Sequence, residues 1–70
     1  MKVIDLVAVT NKLYPIKLID RDKLFDWRYT DDQAVIYTGN GYVMTPQYYD
    51  LRVVSVAIVD GGYHIQVLNR

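Results

Sequence analysis

Residues 53–68 read VVSVAIVDGGYHIQVL, two strand-like runs around Asp60-Gly61-Gly62. A type I′ turn with Asp60 and Gly61 at its centre needs positive φ at both positions. That turn sets Ile58 opposite Tyr63, Val56 opposite Ile65 and Val54 opposite Val67. Every pair is apolar, and all lie on one face. Val53, Ser55, Ala57, His64, Gln66 and Leu68 share the other face. Moving the turn to Gly61-Gly62 shifts the pairing by two and keeps the faces. A slip of one residue would set Val54, Val56 and Ile58 against His64 and Gln66, which register forbids. The stretch therefore predicts a β-hairpin with one dry flank and one wet flank.

Further turns appear upstream. In PIKLIDRDKLFDWRY (15–29), a turn over Asp20-Arg21-Asp22-Lys23 sets Leu18 opposite Phe25, Ile16 opposite Trp27 and Lys17 opposite Asp26. The last is an opposite-charge cross-strand pair. This hairpin competes with a short helix over 21–29 capped by Asp20, and the hairpin is the preferred reading. YTGNGYV (37–43) signals another hairpin, with strands over about 34–38 and 42–45 and a turn at Asn40-Gly41 or Gly39-Asn40. Its register stays open. TDDQ (30–33) fits a capping box, but the β-rich run after it favours a loop over a long helix. In TPQYYDLR (45–52), Thr45 is the expected N-cap and Pro46 the first residue of one α or 3₁₀ turn. MKVIDLVAV (1–9) reads as the first strand, over about 2–10, rather than a signal peptide: Asp5 breaks the apolar run and no small-residue cleavage site follows.

The composition agrees. All eight acids are Asp, and Val, Ile, Thr and Tyr are abundant. Asp favours turns and caps, whereas β-branched and aromatic side chains suit a pleated, half-buried surface. Seventy residues make one domain, 1–70, with a small core. The expected fold is mainly β: a small antiparallel sheet, sandwich or open barrel of 5–7 short strands, with at most one or two helical turns. The chain has no cysteine, so it has neither a disulfide nor a Cys-based zinc site, which fits a reducing cytoplasm. Eight basic and eight acidic residues cancel, so no net field steers the chain to nucleic acid or anionic lipid. No run reaches the roughly 18 apolar residues of a membrane span.

Catalytic and metal chemistry are not expected. Ser55, the sole serine, and His64, the sole histidine, fall on one face of the last hairpin. A nucleophilic serine needs sharp presentation, an orienting acid and an oxyanion hole, whereas Ser55 sits mid-strand between valines. Asp20, Asp22, Asp26, Asp31 and Asp32 miss EF-hand spacing: Phe25 falls where glycine is required, and the terminal Glu is missing. They read as turn chemistry. GNG and DGG are hairpin turns rather than phosphate loops. No cofactor is expected.

Tyrosine is the unusual component, at positions 14, 29, 37, 42, 48, 49 and 63. It offers rigid contact area at low entropic cost. Tyr48 and Tyr49 are adjacent, and on a short helical turn both cannot face inward. With Tyr42 and Arg52 they form the expected partner-binding patch. Arg21, Lys23, Arg28 and Arg52 are the cations available for nucleic acid, with acids interleaved among them.

Pro46, Tyr49-Asp50-Leu51, Val53-Val54-Ser55-Val56, Asp60-Gly61 and Ile65-Gln66-Val67 resemble a pattern in small uncharacterised proteins of bacteriophages and prophages. PIKLIDRDKLFDW is similar to the hairpin upstream of that pattern. RYTDDQAVIYTGNGYVM (28–44) departs from it and leaves the strand count open. The resemblance covers about half of the chain. It implies a non-enzymatic protein of the host bacterial cytoplasm that binds a host or phage protein, in some cases as a host-defence inhibitor such as an anti-CRISPR. An exposed edge strand would also permit a homo-oligomer. The alternative is a binder of single-stranded nucleic acid or a small nucleotide through exposed Tyr and Arg.

Overall fold

The computed structural model describes residues 1–68. Asp60 and Gly61 turn with φ of 52° and 77°, as a type I′ hairpin requires. The turn joins β3 (Arg52–Val59) to β4 (Gly62–Leu68), with Ile58 opposite Tyr63 and Val56 opposite Ile65. The predicted register holds to there and then changes. A bulge between Val53 and Ser55 leaves Val54 as the extra residue, and Val53 rather than Val54 faces Val67. Val53 thereby packs on the core instead of the wet flank.

The other elements are α1 (Val3–Val9), β1 (Ile16–Asp20), α2 (Arg21–Leu24), α3 (Asp31–Ala34), β2 (Val35–Gly39) and a 3₁₀ turn at Pro46–Tyr48. Among the described residues the sheet has four strands, in the order β2-β1-β4-β3, not five to seven. It is mixed rather than antiparallel, because β1 runs parallel to β4. The expected small, mainly β sheet forms, but as one layer and not a sandwich or barrel, and the described residues carry three helices and a 3₁₀ turn where at most one or two helical turns were expected.

The N-terminal stretch is a helix, not a strand. Val3, Leu6 and Val7 recur at helical spacing and turn onto the sheet, where Val3 and Val7 are buried. Asp5 accepts a hydrogen bond from the Lys2 backbone N–H at 3.1 Å, on the first turn where an acid suits the helix dipole. The 49–51 segment satisfies two otherwise orphaned N–H groups: Val3 donates to the Leu51 carbonyl at 2.9 Å and Ile4 to that of Tyr49 at 3.1 Å. Tertiary burial outweighs the β-propensity of these valines.

The expected hairpin at 15–29 does not form. Asp20 ends β1 and caps α2, accepting from Asp22 N–H at 3.0 Å and Lys23 N–H at 3.4 Å. The chain thus leaves the sheet, and Phe25 and Trp27 never return to face Leu18 and Ile16. The strand beside β1 is β2 instead. The capping box at Thr30 does form, with Gln33 N–H to Thr30 Oγ1 at 3.3 Å and Thr30 N–H to Gln33 Oε1 at 2.9 Å. It starts one helical turn in place of the expected loop. The 34–45 hairpin keeps only its first arm. Asn40 Oδ1 accepts from the N–H groups of Tyr42 and Val43 at 2.9 and 3.2 Å, which folds 40–43 into turns. The 3₁₀ turn after Thr45 matches expectation, with Pro46 in its first turn.

One face of the sheet forms the core. Ile16, Leu18, Ile65 and Val67 meet Val3 and Val7 of α1 and Met44. The opposite face carries Lys17, Ile19, Val35, His64 and Gln66, and no helix of the length of α1 covers it.

Candidate functional site

The excursion between β1 and β2 is tied at both ends by the caps at Asp20 and Thr30. Between them, Phe25 N–H donates to the Arg21 carbonyl at 3.2 Å, Asp26 N–H to that of Lys23 at 3.1 Å, and Tyr29 N–H to that of Asp26 at 3.0 Å. Asp26 clips the turn further. It accepts from the Arg28 backbone N–H at 3.0 Å and from the Arg28 guanidinium at 2.6–3.2 Å through both carboxylate oxygens. The Arg28 side chain is the main cause that holds the Asp26 carboxyl down at about 2, and its backbone N–H adds to this. The same contact raises the Arg28 pKa. The clip therefore stays ionised at any pH well above that value.

This bonded loop holds large apolar side chains in water. Trp27 is 91 % exposed, Phe25 71 % and Tyr29 40 %. Cations lie over two of the rings: Arg21 5.3 Å from the Phe25 centroid, with Lys23 at 5.5 Å and Arg28 at 6.0 Å from that of Tyr29. Beside the loop, on the sheet face away from α1, a cleft of about 230 Å³ is lined by Ile19, Leu24, Val35, Lys17, Asp32 and His64, among others. Over residues 21–32 the cations Arg21, Lys23 and Arg28 are matched by Asp22, Asp26, Asp31 and Asp32.

The residues expected to form a patch are spread over two environments. Tyr48 and Tyr49 are half-buried and pack against the core. The Tyr48 ring sits edge-on to Tyr37 at 5.0 Å, and the Tyr49 hydroxyl donates to the Met44 carbonyl at 3.2 Å. Burial pushes the neighbouring Tyr37 hydroxyl above its ordinary pKa. Tyr42 and Arg52 are exposed, the first in the turn after β2 and the second at the start of β3. Ser55 lies opposite Gln66, and His64 opposite Ala57, on adjoining strands. Among the described residues no three acidic or histidine side chains gather as metal ligands.

A hairpin over 15–29 would set Phe25 and Trp27 in the sheet and leave no aromatic loop. The available signal was DRDKLFDW itself. Leu24, Phe25 and Trp27 are too closely spaced to share one buried helical flank, so a capped turn at Asp20 must leave some of them in water.

No protein-family model, curated protein or solved structure matches the chain.

Proposed function

We propose that the chain is a non-enzymatic interaction module that seats Trp27 and Phe25 in an apolar pocket of a protein partner. The observation that carries this is an indole almost wholly in water on a loop already ordered by caps and an Asp–Arg clip. Interface hot spots are enriched in Trp, Tyr and Arg, and a pre-ordered anchor loses little entropy on docking. The mixed charge around the rings suits a protein rim of both signs. The phage-like C-terminal pattern supports a host or phage protein of the bacterial cytoplasm as partner, and inhibition of a host defence as the outcome.

The three aromatic rings with three nearby cations favour a second reading, stacking of single-stranded nucleic acid or a nucleotide. The four carboxylates interleaved with those cations weigh against it, because they repel phosphate.

Trp27 is the sole tryptophan, so its fluorescence reports the site without a label. The expected result is capture of a defined host or phage protein that is lost with Trp27→Ala and Phe25→Ala, at unchanged far-UV circular dichroism, and a blue-shifted emission on adding that protein. Capture that survives both substitutions overturns the reading. Quenching by oligonucleotides that weakens steeply with salt replaces it with the second.

A further inference from the structure

The sheet ends on β3, which has β4 on one side only. Natural edge strands are blunted with charges, proline or a covering element. Between Arg52 and Asp60, β3 has no charge and no proline. Among the described residues only its first ones are covered: Lys2 bridges to Arg52, and the Val53 N–H donates to the Met1 carbonyl at 2.8 Å. The run Val54–Val59 beyond is open. Val53 thus turns its N–H outward. Alternation through the bulge turns the N–H and C=O groups of Val56 and Ile58 outward as well. Their side chains lie on the core face, opposite Ile65 and Tyr63, yet are 43 % and 73 % exposed. The apolar row of the core therefore runs off the edge of the sheet into water.

We infer that this edge pairs with the β3 edge of a second copy, antiparallel about a two-fold axis at Ala57. Charge selects the direction. The open run has Arg52 at one end, beside the Lys2–Asp50 ion pair at 3.5 Å, and Asp60 at the other. An antiparallel pair brings each copy's Asp60 to the cationic end of its mate, and symmetry repeats the match. A parallel pair would stack Asp60 on Asp60 and Arg52 on Arg52. Backbone direction selects the register. With Ala57 on the axis, Val56 faces Ile58 of the second copy and Ile58 faces its Val56. The groups that point outward then bond to one another. Ser55 faces Val59, and the pairing stops where Met1 and Lys2 already occupy the edge. The contact is isologous, so it closes as a dimer and does not propagate. It joins two four-stranded sheets into one and covers the exposed part of the core row. It leaves the Trp27 loop, on the β1–β2 connection, outside the contact.

Sedimentation equilibrium and cysteine cross-linking test this. The wild-type chain should sediment at twice its 8.2 kDa mass at high micromolar concentration. Ile58→Lys should return it to a monomer with an unchanged circular dichroism spectrum, since Ile58 contributes little to the protomer core. The chain has no cysteine, so Ala57→Cys introduces a single thiol. At a non-hydrogen-bonded pair on the axis it should oxidise to a disulfide-linked dimer much faster than Thr38→Cys on the exposed part of β2. A wild-type monomer at that concentration overturns the inference. So does an Ala57→Cys chain that cross-links no faster than the Thr38→Cys control.

Discussion

Among the described residues Asp20 is the charged one the fold buries, at 6 % exposure. It follows Ile16 and Leu18 on the core flank of β1, where an apolar residue would continue the alternation. The carboxylate is there because it ends one element and begins the next. Two N–H groups of α2 that have no intrahelical partner converge on its Oδ1. The cap was legible in the sequence as a competing reading. Its burial was not, because Asp in DRD looks like a solvated turn residue. Asp20→Ala should lower stability by about 1–2 kcal/mol, the upper range for a lost cap. Asp20→Asn should retain most of it. Urea unfolding of both variants beside the wild type measures the difference, and an Asp20→Ala midpoint equal to that of the wild type would show that the cap contributes nothing.

At the scale of elements, the C-terminal hairpin was legible because two independent signals agreed: glycine where φ must be positive, and apolar pairs in one register. Gly61 isolates the first signal. Its φ is 77°, and a Cβ built there meets no atom within 4 Å. Gly61→Ala should therefore cost only the backbone term, about 1–2 kcal/mol for a non-glycine residue in the left-handed region. Chemical denaturation checks this, with no change expected in the native hydrogen-exchange pattern of β3 and β4. Elements where one signal stood alone were misread. Valine-rich 3–9 has β-propensity, but the Val3, Leu6, Val7 spacing prevails once a sheet lies beneath it. Residues 15–29 have the alternation of a hairpin, but the Asp20 cap turns the chain into a helix first. The bulge at Val54 has no sequence mark at all. It falls where the N-terminal segment ties Val53 at the opposite edge. Tyr48 and Tyr49 are both half-buried against the core, because the core reaches around the short turn that carries them.

For the whole molecule, the position of a side chain relative to α1 decides its worth more than its chemistry does. Leu18 and Ile58 are of similar size and lie on the same flank of the sheet. Leu18 sits centrally beneath α1 and is fully buried, whereas Ile58 lies on the edge strand and is mostly in water. A chain of 70 residues has a total stability of roughly 4–10 kcal/mol. Leu18→Ala should remove about 2–5 kcal/mol through lost transfer free energy and the cavity left behind, enough to leave a large share of molecules unfolded at the lower end of that range. Ile58→Ala should change the stability of the dilute monomer by less than about 0.5 kcal/mol. At high protein concentration the gap between the two variants should narrow. Pairing of β3 stabilises any chain that forms it by mass action, so the wild-type and Leu18→Ala midpoints rise with concentration. The Ile58→Ala midpoint should rise less, because the side chain facing Val56 of the second copy has been cut back. Urea midpoints of the three chains over a wide concentration range separate a packing role, read as an offset, from an association role, read as a slope, and parallel curves for all three would leave Ile58 no part in association.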